Sequence, residues 1–179
     1  MIKHLICEGI DGSGKTTLIG AIKRQFMVGS YPRFSDSKTG PHDHLAKKVE
    51  DSFTSLANAP MSYILDRHPL ISELIYGPVL RGHPVDTHFL DLEWVNAYRQ
   101  GLMKKYVVIF CVPPIKKVWV NIVASGDNQM PSVLENIDAL YTSYLSLATA
   151  WSGPSFIYNY TKSVHVPQLR RFLISEGIK

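Results

Sequence analysis

Eight consecutive positions near the start of the chain, Gly9-Ile10-Asp11-Gly12-Ser13-Gly14-Lys15-Thr16, have the types and spacing to hold a polyphosphate, and Thr17 follows them. They match G-x-x-x-x-G-K-[ST] at every fixed position. The glycines let the backbone fold tightly with its N–H groups turned inward. The helix that must start here adds about half a positive charge at its N-terminus. Gly12, Ser13, Gly14, Lys15, Thr16 and Thr17 are therefore the candidate ATP-binding residues. Lys15 is placed to reach the β- and γ-phosphates and the Thr16 hydroxyl to ligate Mg²⁺. A chance Gly-rich turn is the alternative. With Gly at about 7% of residues, the four fixed positions recur by accident in roughly one chain in a hundred of this size. Context decides for phosphate binding: Ile2-Lys3-His4-Leu5-Ile6-Cys7 before the motif is apolar enough for a buried strand, and Leu18, Ile19, Ile22 and Phe26 after it form one helical face.

A second polar group, Asp66-Arg67-His68, stands at the end of the apolar run Met61-Ser62-Tyr63-Ile64-Leu65. A carboxylate at the end of a strand beside the loop strand is the usual second partner of Mg²⁺, which assigns Asp66 to the metal with Thr16. Arg67 has the planar fork to clamp a phosphate. The plainer reading is a surface Asp-Arg pair at a strand–helix junction; the phosphate loop weighs against it.

These groups need a scaffold. Tyr31-Pro32-Arg33-Phe34 reads as a short extended segment after a break at Gly29-Ser30, and residues 35–41 as loop. Leu45, Val49, Phe53 and Leu56 define a helix that ends at Asn58-Ala59-Pro60. Pro69 opens a short helix that Gly77-Pro78 should stop or kink. Asp86 and Thr87 are candidate caps for a helix carrying Leu90, Trp94, Val95, Tyr98 and Leu102. Residues 106–112 form the clearest buried strand, closed by Pro113-Pro114. Residues 116–123 read as helix and 125–128 as a flexible tip. Ser132-Val133-Leu134-Glu135 reads as a capping box opening a long helix to Trp151. Residues 155–158 make a last strand, and Pro167 opens a helix that stops near Gly177. Strands alternating with helices predict an α/β three-layer sandwich, a mostly parallel five-stranded sheet with ligands at the carboxyl ends of its strands.

The 179 residues fit a single domain, 1–179, large enough to bury a core without staples. The net charge of +4 comes from scattered Lys and Arg, without the basic cluster of a nucleic-acid face. No run approaches membrane-spanning length, and the first strand begins too near Met1 for a signal peptide, so the expected location is the cytoplasm. Cys7 and Cys111 sit in apolar runs and read as buried core thiols. Among seven histidines no H-x-x-x-H or Cys-His cluster suggests a structural metal.

The run Glu8-Gly9-Ile10-Asp11-Gly12-Ser13-Gly14-Lys15-Thr16-Thr17, with an acid inside the loop, resembles that of the thymidylate kinases within the P-loop nucleoside monophosphate kinases. Asp66-Arg67-His68 resembles the family's D-R-[YH] motif, and Leu92-Glu93-Trp94 its L-D-W element. Only the first two are specific. The resemblance implies a P-loop kinase domain with a small helical lid at about 115–131. It implies that Asp11 lies near the acceptor sugar and metal, and that Arg67 and Arg33 hold the acceptor phosphate. Tyr76 would line the deoxyribose. Lys15, Arg67 and Asp11 are then the candidate catalytic residues, and a homodimer is implied.

Three departures stand out. The family supplies a transition-state Arg from the loop or the lid; here the loop has Gly12-Ser13, and residues 117–131 contain no Arg. Lys116, Lys117, Arg67 or Arg81 are the candidate substitutes, with Asn121, Asn128 or Gln129 as neutral donors. Arg81 is equally readable as a solvated surface charge. The Arg that reads thymine is absent, since no Arg lies between Arg33 and Arg67. Leu102-Met103-Lys104-Lys105-Tyr106 replaces L-P-x-P-D, and so trimmed a member suggests a phage-type enzyme. His68 is a candidate for substrate contact or for packing; Phe34, Tyr63 or Trp94 for stacking on the base; 159–162 for the donor adenine or a plain loop.

The expectation is a (deoxy)nucleoside monophosphate kinase: ATP·Mg²⁺ phosphorylates dTMP or a broader range of dNMPs to dNDPs. An acceptor that is already an anionic nucleophile needs placement and charge neutralisation more than a base. A deoxynucleoside kinase and a non-catalytic nucleotide-binding module are the alternatives.

Overall fold

The computed structural model describes residues 3–36, 40–125 and 131–179. Continuous apolar runs, rather than alternating ones, mark strands buried on both faces, and five such strands pair in parallel. They are β1 (His4–Glu8), β2 (Val28–Ser30), β5 (Ser62–Asp66), β6 (Tyr106–Cys111) and β7 (Ser155–Tyr158), in the order β2-β5-β1-β6-β7. In register, Ile6 faces Leu65 on one side and Val108 on the other. The central strand β1 thus delivers the phosphate loop beside the end of β5, where the connections change direction and ligands gather.

Helices cover both faces. Leu5, Cys7, Val107, Ile109 and Cys111 pack with Leu18 and Ile22 of α1 (Lys15–Gln25) and with Leu169 and Leu173 of α8 (His165–Ser175). Ile6, Leu65, Val108 and Phe110 point the other way. They meet α2 (Leu45–Ala57), α3 (Pro69–Tyr76), α4 (Leu92–Lys105), α5 (Ile115–Ala124) and α7 (Ile137–Ala150). Both cysteines are buried free thiols, as expected. No described helix is long and apolar enough to cross a membrane.

Local structure departs from the sequence reading in five places. The second strand is Val28–Ser30, ahead of the extended segment expected at Tyr31–Phe34, and Gly29 belongs to it. A Cβ there would come within 2.8 Å of the Tyr63 ring, so Gly29 gives that ring its place. The expected loop at 35–41 contains a small antiparallel pair, β3 (Ser35–Asp36) with β4 (Gly40–Pro41). The α-helix α3 does stop at Tyr76, before Gly77-Pro78, but the chain goes on as a π-helical turn, Gly77–Arg81, which ends at left-handed Gly82. The helix expected to start at Asp86 or Thr87 is split. Asp86 caps a 3₁₀ turn, Thr87–Leu90, and Asp91 caps α4 by accepting from Glu93 N and Trp94 N. Ser132 is not the N-cap of a long helix: it lies inside the short helix α6 (Pro131–Glu135), and its carbonyl accepts from Asn136, where the helical run breaks before α7. The tip expected at 125–128 lies, beyond Ser125, outside the described residues.

Candidate active site

The loop between β1 and α1 turns on three glycines with positive φ: Gly9 (143°), Gly12 (73°) and Gly14 (86°). Those angles suit a residue without Cβ, and the space requires one as well. A Cβ on Gly12 would meet the Val118 carbonyl oxygen at 2.9 Å and Ile122 at 2.8 Å, because α5 rests on the loop. Asn121 of α5 ties the contact, donating to the Gly12 carbonyl (2.8 Å) and to the Tyr160 hydroxyl (3.0 Å). The Tyr160 ring lies against Gly14, so the segment at 159–162 does border the loop.

Lys15 is buried, and its Nζ donates to the Ile10 carbonyl (2.9 Å), with no carboxylate in contact among the described residues. Burial lowers its pKa, and the nearby Arg67 cation adds to this. A desolvated ammonium facing an open cavity fits an anionic ligand that would restore its charge balance. That cavity is lined by Gly12, Gly14, Lys15, Thr16, Thr17 and Asn121 on one side. Asp11 of the loop, with Arg33, Ser35, Asp66 and Arg67 from outside it, completes the lining. Ser13 is not part of the lining; its hydroxyl is buried behind the loop without a hydrogen-bond partner among the described residues.

Arg67 has φ 68°, a left-handed conformation uncommon outside glycine. Several bonds hold it there. Its N–H donates to the Cys7 carbonyl (3.0 Å), and the next N–H, that of His68, donates to Glu8 Oε1 (2.6 Å). The guanidinium then lies over the Tyr76 ring, 4.8 Å from its centroid, donating to Asp11 Oδ1 (2.7 Å) and to the Tyr76 hydroxyl (2.9 Å). The Tyr76 hydroxyl donates to Asp11 Oδ2 (2.9 Å) and closes the triangle. Burial pushes the Asp11 carboxyl upward, but Arg67 and Lys15 outweigh it and hold the pKa at about 2. On the far side Arg33 pairs with Asp66 at 2.7 Å.

Glu8, absent from the sequence-based site, holds this wall from behind. It is fully buried, its second oxygen accepts from the Tyr144 hydroxyl (3.1 Å), and burial raises its pKa to about 7. The available signal was an acid closing an otherwise apolar strand. His68 resolves toward packing: it is fully buried, its Nδ1 accepts from Leu70 N to cap α3, and burial lowers its pKa to about 3.

A second cavity shares Asp11, Arg67 and Ser35 with the first. Phe34, Pro41, Leu45, Pro69 and Tyr76 make it largely apolar, and Asp36, Ser72, Glu73 and Arg81 add polar groups. Phe34 therefore lines it, whereas Tyr63 and Trp94 line neither cavity. Arg81 is no solvated charge; it is ion-paired with the buried Glu73. Lys116 and Lys117 line neither cavity, and Asn128 and Gln129 lie outside the described residues. The hard oxygen donors Thr16 and Asp66 share the first cavity and fit Mg²⁺, which takes few protein ligands when phosphates supply the rest. Among the described residues no group of three or more His, Cys, Asp or Glu is gathered for a metal.

No protein-family model matches the chain, and neither does any curated protein. Solved structures do. The YorR protein of Bacillus subtilis, in complex with phosphorylated GDP, superposes with a TM-score of 0.67 at 17% identity, over 97% of this chain and 96% of that one. Deoxyadenosine kinase from M. mycoides, with products dCMP and a flexible dCDP bound, gives 0.64 at 15%, over 96% and 99%. The same kinase with dATP bound gives 0.57 at 16%, over 96% and 98%. The fold is that of a P-loop kinase. At such identities the likeness is one of architecture.

Proposed function

We propose that this protein transfers the γ-phosphoryl group of ATP to a deoxynucleoside monophosphate, giving the diphosphate. The observation that carries the reading is the wall common to both cavities: Asp11, Arg67 and Ser35 line the phosphate cavity on one side and the largely apolar pocket on the other. A donor held by the loop and an acceptor held in the pocket would meet there, as in-line transfer requires. Lys15 serves the donor phosphates. Arg67 and Arg33 face the junction, where charge accumulates as two phosphate groups approach. Asp11 and Tyr76 fix the guanidinium of Arg67. Mg²⁺ held by Thr16 and Asp66 would neutralise donor charge.

One observation favours a second reading, a deoxynucleoside kinase. Arg67 and Arg33 are each already paired with a carboxylate, so neither is a free cation waiting for an acceptor phosphate. An uncharged acceptor would leave both pairs intact. The fold likeness to deoxyadenosine kinase is compatible with this.

The test is an acceptor panel with ATP·Mg²⁺, using the common NMPs, dNMPs and free deoxynucleosides, and chromatography of the products. Diphosphates from one or more dNMPs are expected. Phosphorylation of nucleosides with all monophosphates inert would replace this reading by the second. ATP binding without transfer to any acceptor would leave a nucleotide-binding module.

A further inference from the structure

The acceptor pocket ends in a device that phosphate chemistry does not require. Glu73 is 3% exposed, on a helix face otherwise made of Pro69, Leu70, Ile71, Ile75 and Tyr76. Its Oε1 accepts from Arg81 and from the Val85 N–H (2.7 Å). Its Oε2 accepts from no described residue, and Glu73 lines the cavity. Arg81 lines the same cavity, and its Nε, sealed from it, has no partner among the described residues. Glu73 thus offers an unused acceptor, with the Arg81 side chain beside it, in the wall of a largely apolar pocket.

The backbone has been shaped to put them there. The π-helical turn Gly77–Arg81 brings Arg81 back over Glu73, and such turns recur at functional sites. Gly77 leaves room for the cover: a Cβ on it would meet Pro84 Cα at 2.9 Å and Glu73 Oε1 at 3.0 Å. A buried ion pair is weak as a source of stability, since desolvation offsets the attraction, and an apolar pair would fill the same space at no loss. Its placement in the pocket wall therefore points to recognition.

We infer that Glu73 and Arg81 read the acceptor base, and that they select a base with an exocyclic amine (cytosine, adenine or guanine) over thymine or uracil. The inference rests on the kinase reading for the presence of a nucleotide in this pocket. A carboxylate oxygen accepts well from an amine, while the guanidinium donates to the neighbouring ring nitrogen or carbonyl. Thymine and uracil offer one imide N–H flanked by two carbonyl oxygens. A carboxylate approaching it meets both partial negative charges, and the site's own polar groups are left poorly paired. The resemblance to thymidylate kinases thus stops short of the base.

The experiment is a comparison of kcat/KM for dCMP, dAMP, dGMP, dTMP and dUMP with the full chain, repeated with Glu73→Gln and Arg81→Lys. The best amine-bearing acceptor should exceed dTMP and dUMP by at least about tenfold. In Glu73→Gln an amide N–H₂ can face the base, so the ratio should collapse or invert toward dTMP, a change that mere loosening of the pocket would not produce. Arg81→Lys should narrow it. Wild-type protein that phosphorylates dTMP as well as or better than the others overturns the inference and leaves the kinase reading standing, even if the variants fail to fold. If only free nucleosides are phosphorylated, the same ratio is read between deoxycytidine or deoxyadenosine and thymidine. If nothing is phosphorylated, calorimetric titration with dCMP, dAMP, dGMP and dTMP alone decides. Preference for an amine-bearing nucleotide supports the inference, and equal or absent binding overturns it.

Discussion

Arg67 concentrates the argument at the scale of single residues. A left-handed arginine is strained, and the strain persists because Cys7, Glu8, Asp11 and Tyr76 hold the backbone and the fork together. Arg67→Lys keeps the charge but loses the fork that spans Asp11 and Tyr76. Turnover should fall at least about a hundredfold while circular dichroism stays native; unchanged kinetics would remove Arg67 from the site. Glu8 makes a separate prediction. Burial lifts its carboxyl from 4.5 to about 7, so ionisation costs more in the folded protein than in the unfolded chain. Below pH 4.5 both states are neutral and no penalty applies. As pH rises through 7 the penalty becomes complete, on the order of 1–3 kcal/mol. Glu8→Gln keeps an acceptor for the His68 N–H and has no proton to lose, so its melting temperature should gain on wild type between pH 4.5 and 7. Parallel melting curves would contradict this. Much of the site was legible because Gly9–Thr16 and Asp66-Arg67 are local patterns. Glu8 and Glu73 were not, since their partners lie 60 and 8 or more residues away, and Ser35 was read only as loop. Glu73 left a trace, a lone acid in the apolar run Pro-Leu-Ile-Ser-Glu-Leu-Ile-Tyr.

At the scale of elements, apolar runs sufficed for β1, β5, β6 and β7, and helical periodicity for α1, α2 and α8. Boundaries went astray where a side chain far along the chain decides them. Tyr63 makes a glycine acceptable inside β2, and Asp86 and Asp91 divide between them a start that looked single. Asp91→Ala removes the cap of α4 and should lower stability by about 1 kcal/mol in urea titration, with activity unaltered because α4 touches neither cavity. Asn121 is the contrasting case. It joins α5 to both the loop and Tyr160, so Asn121→Ala should weaken ATP binding several-fold with a smaller change in stability. A loss of stability without loss of affinity would make the contact purely structural.

For the molecule as a whole, the parallel sheet puts two cavities edge to edge at the ends of β1 and β5, with one wall between them. A dinucleotide in which a polyphosphate joins adenosine to the acceptor nucleoside should therefore bind at least tenfold more tightly than either half, since the second half binds at high effective concentration. Additive or weaker affinity by calorimetry would mean that the cavities are not filled together. The same packing has an evolutionary side. Gly12 has a left-handed φ, and α5 lies directly over it. No single codon change can install a side chain there without first lifting the helix that Asn121 fastens down. On the proposed kinase reading, Arg33 and Arg67 are the cations that the cavity already holds beside Lys15.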